Sequence, residues 1–158
     1  MTTRRNFVGA IGTLFLSPSW ALLASAETKL RLAVVVAKSS PLDELSLQEL
    51  KNIYRGDKLT GTKLIPFAFA AGLPERIAFD QAVLGYSPKE AAQYWIDRKI
   101  RGQSGPPQTI DSAEVVMKVI ANLPGSIGYV RASDVKSYVK TLRIEGKALI
   151  DDGYPVNA

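Results

Sequence analysis

Apolar residues recur at three- and four-residue steps through Val115, Val116, Val119, Ile120 and Leu123, and the pattern stops at Pro124-Gly125. That spacing predicts a helix. The Pro-Gly pair ends it, because proline lacks an amide and glycine accepts a left-handed turn. Ser126–Val130 (S-I-G-Y-V) then reads as a short, mostly apolar strand. Gly128 inside it predicts a close approach to the backbone. A helix that turns tightly into a buried strand is the unit of a layered α/β domain.

Leu30–Ala37 (L-R-L-A-V-V-V-A) is nearly continuous and β-branched, the pattern of a strand buried on both faces. Lys38-Ser39-Ser40-Pro41 ends it. Ser46-Leu47-Gln48-Glu49 is a capping box, so a helix begins there, with Leu47, Leu50, Ile53 and Tyr54 as its apolar stripe and Gly56 at its end. Gly56–Lys63 is a polar turn. Leu64–Ala70 is a second strand, in which Pro66 predicts an edge or a bulge. Pro74 suits a first helical position. That helix carries Phe79 and Val83 on one face, with Ile77 and Leu84 beside them, and closes at Gly85. Ser87-Pro88-Lys89-Glu90 is a second capping box. Its helix runs to about Arg101, with Ala92, Ile96 and Ile100 on one face and Trp95 read as core. Gly102–Pro107 is a loop. Asp111-Ser112-Ala113-Glu114 reads as a third box. Asp134–Ser137 is a turn or short helical piece, Val139–Ile144 a strand, and Asp151–Ala158 a loosely held polar tail.

The expected fold class is therefore α/β: one three-layer α/β/α domain with a mixed sheet built on Leu32–Val36, Leu64–Phe69, Ser126–Val130 and Val139–Ile144. The 158 residues suffice for one such core.

The chain has neither Cys nor His. This removes thiol nucleophiles, disulfides, histidine bases and the commonest metal ligand. Arg4-Arg5, the apolar run Phe7–Leu16 and Ala24-Ser25-Ala26 together read as a leader, residues 1–26, either a general secretion signal or, as T-R-R-N-F-V-G resembles, a twin-arginine export signal. Cleavage after Ala26 leaves residues 27–158 as one domain in the periplasm. Loss of Arg4 and Arg5 takes the formal charge from +5 to +3, which permits an anionic ligand and gives little support to nucleic acid as a partner.

Asp43-Glu44, Asp57 and Asp151-Asp152 fall in predicted loops, none with a basic or nucleophilic neighbour that points to a role, and no phosphate-loop, dinucleotide or nucleophile-elbow motif is present. The expectation is a protein that is not an enzyme, with no cofactor and no metal. The best candidate site is the strand–loop–helix junction Phe69–Arg76. A helix start offers free amides, Gly72 lets the backbone approach a ligand, and Arg76 can return as counter-charge. Glu75 in the first turn opposes an anion.

Several motifs occur in order: I-Y-R-G (Ile53–Gly56), I-P (Ile65-Pro66), R-x-x-F-x-x-x-V-L-G (Arg76–Gly85), Y-W (Tyr94-Trp95), G-x-x-G-P-P (Gly102–Pro107) and P-G-S-I-G-Y-V (Pro124–Val130). This series resembles the substrate-binding proteins of phosphate ABC transporters, in the type 2 periplasmic-binding fold. It covers Leu30 to about Gly146. The resemblance implies an exported solute-binding-like protein with a small anion such as phosphate as ligand. The family has two lobes with phosphate between them, and this chain matches about one, the second. The family's Ser-Gly-Thr phosphate loop corresponds here to Ala71-Gly72-Leu73, so its hydroxyls are absent. The candidate ligand-binding residues are Ala71, Gly72, Leu73 and Arg76, with Ser39 and Ser40 from the loop after the first strand. A second reading is an interaction or sensory module that keeps the fold without the ligand. Its partner would be a membrane transporter subunit, a sensor, or a second copy bound through the exposed lobe face.

Overall fold

The computed structural model describes residues 30–57 and 63–157. Residues 1–29, with the expected leader, residues 58–62 of the expected polar turn, and Ala158 lie outside them. Eleven elements follow in order: β1 (Leu32–Ala37), β2 (Glu44–Leu45), α1 (Leu47–Arg55), β3 (Ile65–Phe69), α2 (Pro74–Phe79), α3 (Pro88–Ile100), β4 (Gln108–Ile110), α4 (Ala113–Asn122), β5 (Ser126–Arg131), β6 (Val139–Thr141) and β7 (Arg143–Ile144). The main sheet has the order β4-β3-β5-β1-β6. Strands β4, β3 and β5 run parallel, and β1 runs antiparallel to both β5 and β6. The sheet is mixed, as expected.

β1 is buried along its whole length, because strands flank it on both edges and side chains cover both of its faces. Adjacent residues of β5 show the layers, since successive side chains point to opposite faces. A Cβ on Gly128 would lie 3.0 Å from Val116 Cγ1 and 3.3 Å from Ile120 Cδ1, both on α4. Tyr129 instead stacks on Phe79 of α2, with ring centroids 3.8 Å apart, and meets Tyr54 of α1 edge-on at 5.8 Å. Helix α4 therefore covers one face, and α1 and α2 cover the other. The close approach foreseen at Gly128 is that of α4. Gly128→Val is expected to overpack this contact and lower unfolding free energy by about 1–3 kcal/mol in denaturant titration. Adding Val116→Ala should recover part of the loss.

The first two capping boxes form as read, with Ser46 and Glu49, and Ser87 and Glu90, bonded reciprocally. The third does not. Helix α4 starts one residue later than the box requires, with Ser112 at the N-cap and no side-chain cap bond. Glu114 pairs with Lys118 at 2.6 Å instead. Pro66 sits where β3 has only β5 beside it, and β4 joins from Phe67 onward. The strand is thus interior to the sheet, and its proline keeps to the end that is paired on one side only.

Other elements depart further. The segment 74–85 is not one α-helix: Asp80–Leu84 forms a π turn, closed by the Gly85 amide on the Asp80 carbonyl. This turn buries Asp80, Val83 and Leu84, and leaves Ile77 partly exposed. Of the residues of α3, only Ala91 is buried, so the Ala92–Ile96–Ile100 stripe faces outward. The expected strand 139–144 breaks at Leu142: β6 pairs with β1, while β7 pairs with β2 in a separate parallel ladder.

The C-terminal segment is also better held than its polarity suggests. Tyr154 and Val156 are buried. The Tyr154 hydroxyl donates to the Leu142 carbonyl at 3.2 Å and accepts from the Val34 amide at 3.5 Å. The Leu32 amide donates to the Val156 carbonyl. Burial pushes the Tyr154 phenol up to about 12. Tyr154→Phe keeps the packing but strips both bonds. It is expected to cost about 1–3 kcal/mol, the penalty for leaving buried backbone groups unpaired, as read from the urea midpoint.

Candidate functional site

The parallel strands β3, β4 and β5 end at the same edge of the sheet, where ligands of open α/β sheets commonly bind. After Phe69 the chain makes a tight turn, with the Leu73 amide bonded to the Ala70 carbonyl at 3.3 Å. Gly72 there has φ 92°, a conformation other residues rarely adopt. Leu73 stands at the N-cap of α2 and supplies no side-chain acceptor, and Pro74 opens the helix. Ala71, Gly72, Leu73 and Arg76 thus share one turn, as the sequence places them.

Arg76 is not a free counter-charge. It is 8% exposed and its Nε donates to Asp80 Oδ2 at 2.7 Å. Its Nη1 donates to the Phe69 carbonyl at 3.2 Å. The guanidinium therefore ties the end of β3 to the π turn. Burial holds the Asp80 carboxyl above the usual range, against the opposing pull of Arg76. Asp80 escaped the sequence reading, although Arg76 and Asp80 stand four residues apart, the spacing at which helical side chains meet. Glu75, expected to repel an anion, is bonded to Arg131 Nε at 2.6 Å. Arg131 is the last residue of β5, and nothing local in the sequence links it to Glu75.

A hollow of about 100 Å³ opens beside this turn, lined by Ala71, Gly72, Arg76, Ile77, Asp80 and Trp95 with Pro88, Ala91 and Ala92. Trp95 is half-buried and its indole Nε1 is buried without a hydrogen-bond partner.

Ser39 and Ser40 do not join this group. They follow the C-terminal end of β1, which is antiparallel to β5, so they lie at the opposite edge of the sheet from Ala71–Arg76. The length of β1 separates them, on the order of 20 Å for a six-residue strand. Ser40 there closes its own turn: its amide meets the Ala37 carbonyl, its hydroxyl accepts from Leu42, and its carbonyl accepts from Lys140 Nζ. The six candidates are thus four and two, at two ends.

A larger hollow, about 610 Å³, lies by the start of β3 among Ile53, Leu64, Pro66, Trp95, Pro106 and Pro107. It contains none of the six. Near it, Arg98 joins two of the ordered motifs. It donates to the Gly56 carbonyl at 3.0 Å and to Ser104 Oγ at 2.8 Å, and pairs with Asp57 at 3.1 Å. I-Y-R-G and G-x-x-G are therefore adjacent in space because Arg98 clamps one to the other. Among the described residues no cluster of carboxylates suits a metal ion, and no helix is long and apolar enough to cross a membrane.

No protein-family model matches the chain. Solved structures do. An ABC-type phosphate transport receptor from Vibrio cholerae is similar with TM-score 0.65 and 17% identity, over 82% of this chain and 54% of that one. PstS from Borrelia burgdorferi is similar with TM-score 0.62 and 15% identity, over 82% and 55%. The fold is thus that of phosphate ABC transporter substrate-binding proteins, as the ordered motifs implied. The chain spans about half the length of the solved structures it matches.

Proposed function

We propose that this protein is an exported, solute-binding-like lobe that meets a small oxyanion weakly at the Ala71–Arg76 turn. The observation that carries the reading is the turn itself. It lies at the C-terminal edge of the parallel strands, with Gly72 at φ 92° and an α2 start that no side chain caps. The likeness to the phosphate transport receptor supports the placement. Weak binding follows from the chemistry present. No hydroxyl lies between Ala71 and Arg76, and the guanidinium is already shared with Asp80. Export rests on the leader pattern of residues 1–26, and a mature mass beginning at Glu27 is the expected outcome of mass spectrometry on the periplasmic fraction.

Calorimetry and thermal melts with a panel of phosphate, sulfate and small carboxylates test the binding. A ligand at ten times its Kd stabilises the folded state by about 1.4 kcal/mol, so a millimolar Kd still gives a visible shift. Absence of heat and of any shift with every anion overturns the reading.

One observation favours the alternative, a module that works by docking to another protein. Helix α3 presents Ile96 and Ile100, 52% and 79% exposed, with Lys89 and Lys99 near them on the same face. Light scattering that shows a dimer, abolished by Ile96→Glu, would support that reading.

A further inference from the structure

The hollow beside the 70–76 turn has an unusual donor set for its size. About 100 Å³ is roughly three water molecules' share of liquid, a size that suits a ligand of a few heavy atoms. Two of its lining residues carry an N–H without an acceptor. Among the described residues no partner meets Nη2 of Arg76, whose Nε and Nη1 are taken by Asp80 and Phe69. The Trp95 indole N–H is buried and unpaired, a state that costs free energy until an acceptor arrives. The remaining wall is apolar, from Ile77, Pro88, Ala91 and Ala92.

That combination discriminates among oxyanions. A dianion such as sulfate would give up strong hydration for two donors and would sit beside the Asp80 carboxylate. A singly charged head with a short apolar tail loses less hydration and uses the apolar wall as well. We propose that the hollow bordered by Arg76, Trp95, Ile77 and Ala92 is a site for a short-chain aliphatic monocarboxylate of propionate or butyrate size. Its head bonds Arg76 Nη2 and the Trp95 indole N–H, and its tail lies on Ile77 and Ala92. The inference rests on the reading of this turn as an anion site and names the anion's class.

The test uses the full chain with Trp20→Phe, which leaves Trp95 as the only indole. Propionate, butyrate, phosphate and sulfate are titrated at matched ionic strength, with Trp95 emission and melting temperature as readouts. Propionate and butyrate are expected to shift both, with butyrate the tighter, and the two inorganic anions to shift neither. Ala92→Leu, at an exposed position of α3, fills the hollow and is expected to abolish the response without changing the fold. Trp95→Phe, followed by the melt alone, is expected to weaken propionate about tenfold, the share of one hydrogen bond to a charged group. If phosphate or sulfate stabilises as well as propionate, the carboxylate assignment is overturned and the anion reading stands. If no anion acts, both fall. If Ala92→Leu and Trp95→Phe bind propionate unchanged, the site lies elsewhere and the proposal fails.

Discussion

Arg76→Met is expected to destabilise the protein by about 3–5 kcal/mol at neutral pH, because it strands a buried carboxylate without its cation. Asp80 is 6% exposed, and its bond to Arg76 is 2.7 Å long. Burial already raises the Asp80 carboxyl, and Arg76 is what restrains it. Without the guanidinium, Asp80 rises further above its unfolded value. An acid with a raised folded pKa contributes stability that is present below the unfolded pKa and lost as pH rises through the folded one. The deficit of Arg76→Met relative to the parent should therefore shrink as pH falls toward 4, when both are measured in parallel urea titrations. The comparison must be made at each pH, since Asp43, Glu49 and Glu90, held low by their hydrogen bonds, weaken both proteins in acid. Adding Asp80→Leu to Arg76→Met should recover most of the loss, because an apolar pair of similar volume removes both desolvated charges. A pH-independent deficit would show that Arg76 acts through packing alone.

Phe79→Ala is expected to cost about 3–5 kcal/mol, the range for removing a large aromatic side chain from a core. Phe79 is fully buried, stacks on Tyr129 with an interplanar angle of 4°, and touches Tyr54 at 4.5 Å between centroids. It bridges α2 to β5 and to α1. Phe79→Leu should cost less, because it leaves a smaller cavity. Tyr129 and Tyr54 carry phenols pushed up by burial, so a looser pocket should also bring tyrosine ionisation to lower pH, as followed by absorbance. A melt unchanged by Phe79→Ala would mean that the aromatic cluster does not anchor the layer.

Both residues stand in one stretch, R-x-x-F at Arg76–Phe79, and they show where local pattern succeeds and stops. The helix over Val115–Leu123 and the β-branched strand at Leu32–Val36 were legible from period and residue type, although the helix buries Val116, Met117 and Ile120 and leaves Val115 and Leu123 exposed. Two capping boxes were legible because each closes within four residues. The glycine at 128 announced a close contact, and the structure supplies α4 as the neighbour. The ordered motifs pointed to the periplasmic-binding fold, although each is only a few residues long.

What local pattern could not carry was anything decided by a distant partner. Ile96 and Ile100 have helical spacing, yet α3 turns them outward, since periodicity marks an apolar face without saying whether another layer covers it. Tyr154 and Val156 sit in a polar tail but are captured by β1 and Leu142, more than ten residues away in every case. Ser39 and Ser40 stand at the far edge because β1 runs antiparallel to β5, and strand direction is set by long-range pairing. Glu75 is taken by Arg131, 56 residues further along the chain. The order of elements, their caps and the apolar core strands thus follow from contacts within a few residues, where side-chain size and backbone geometry act alone. The orientation of strands, the capture of the tail and the pairing of Arg131 with Glu75 follow from contacts that exist only once the layers have closed.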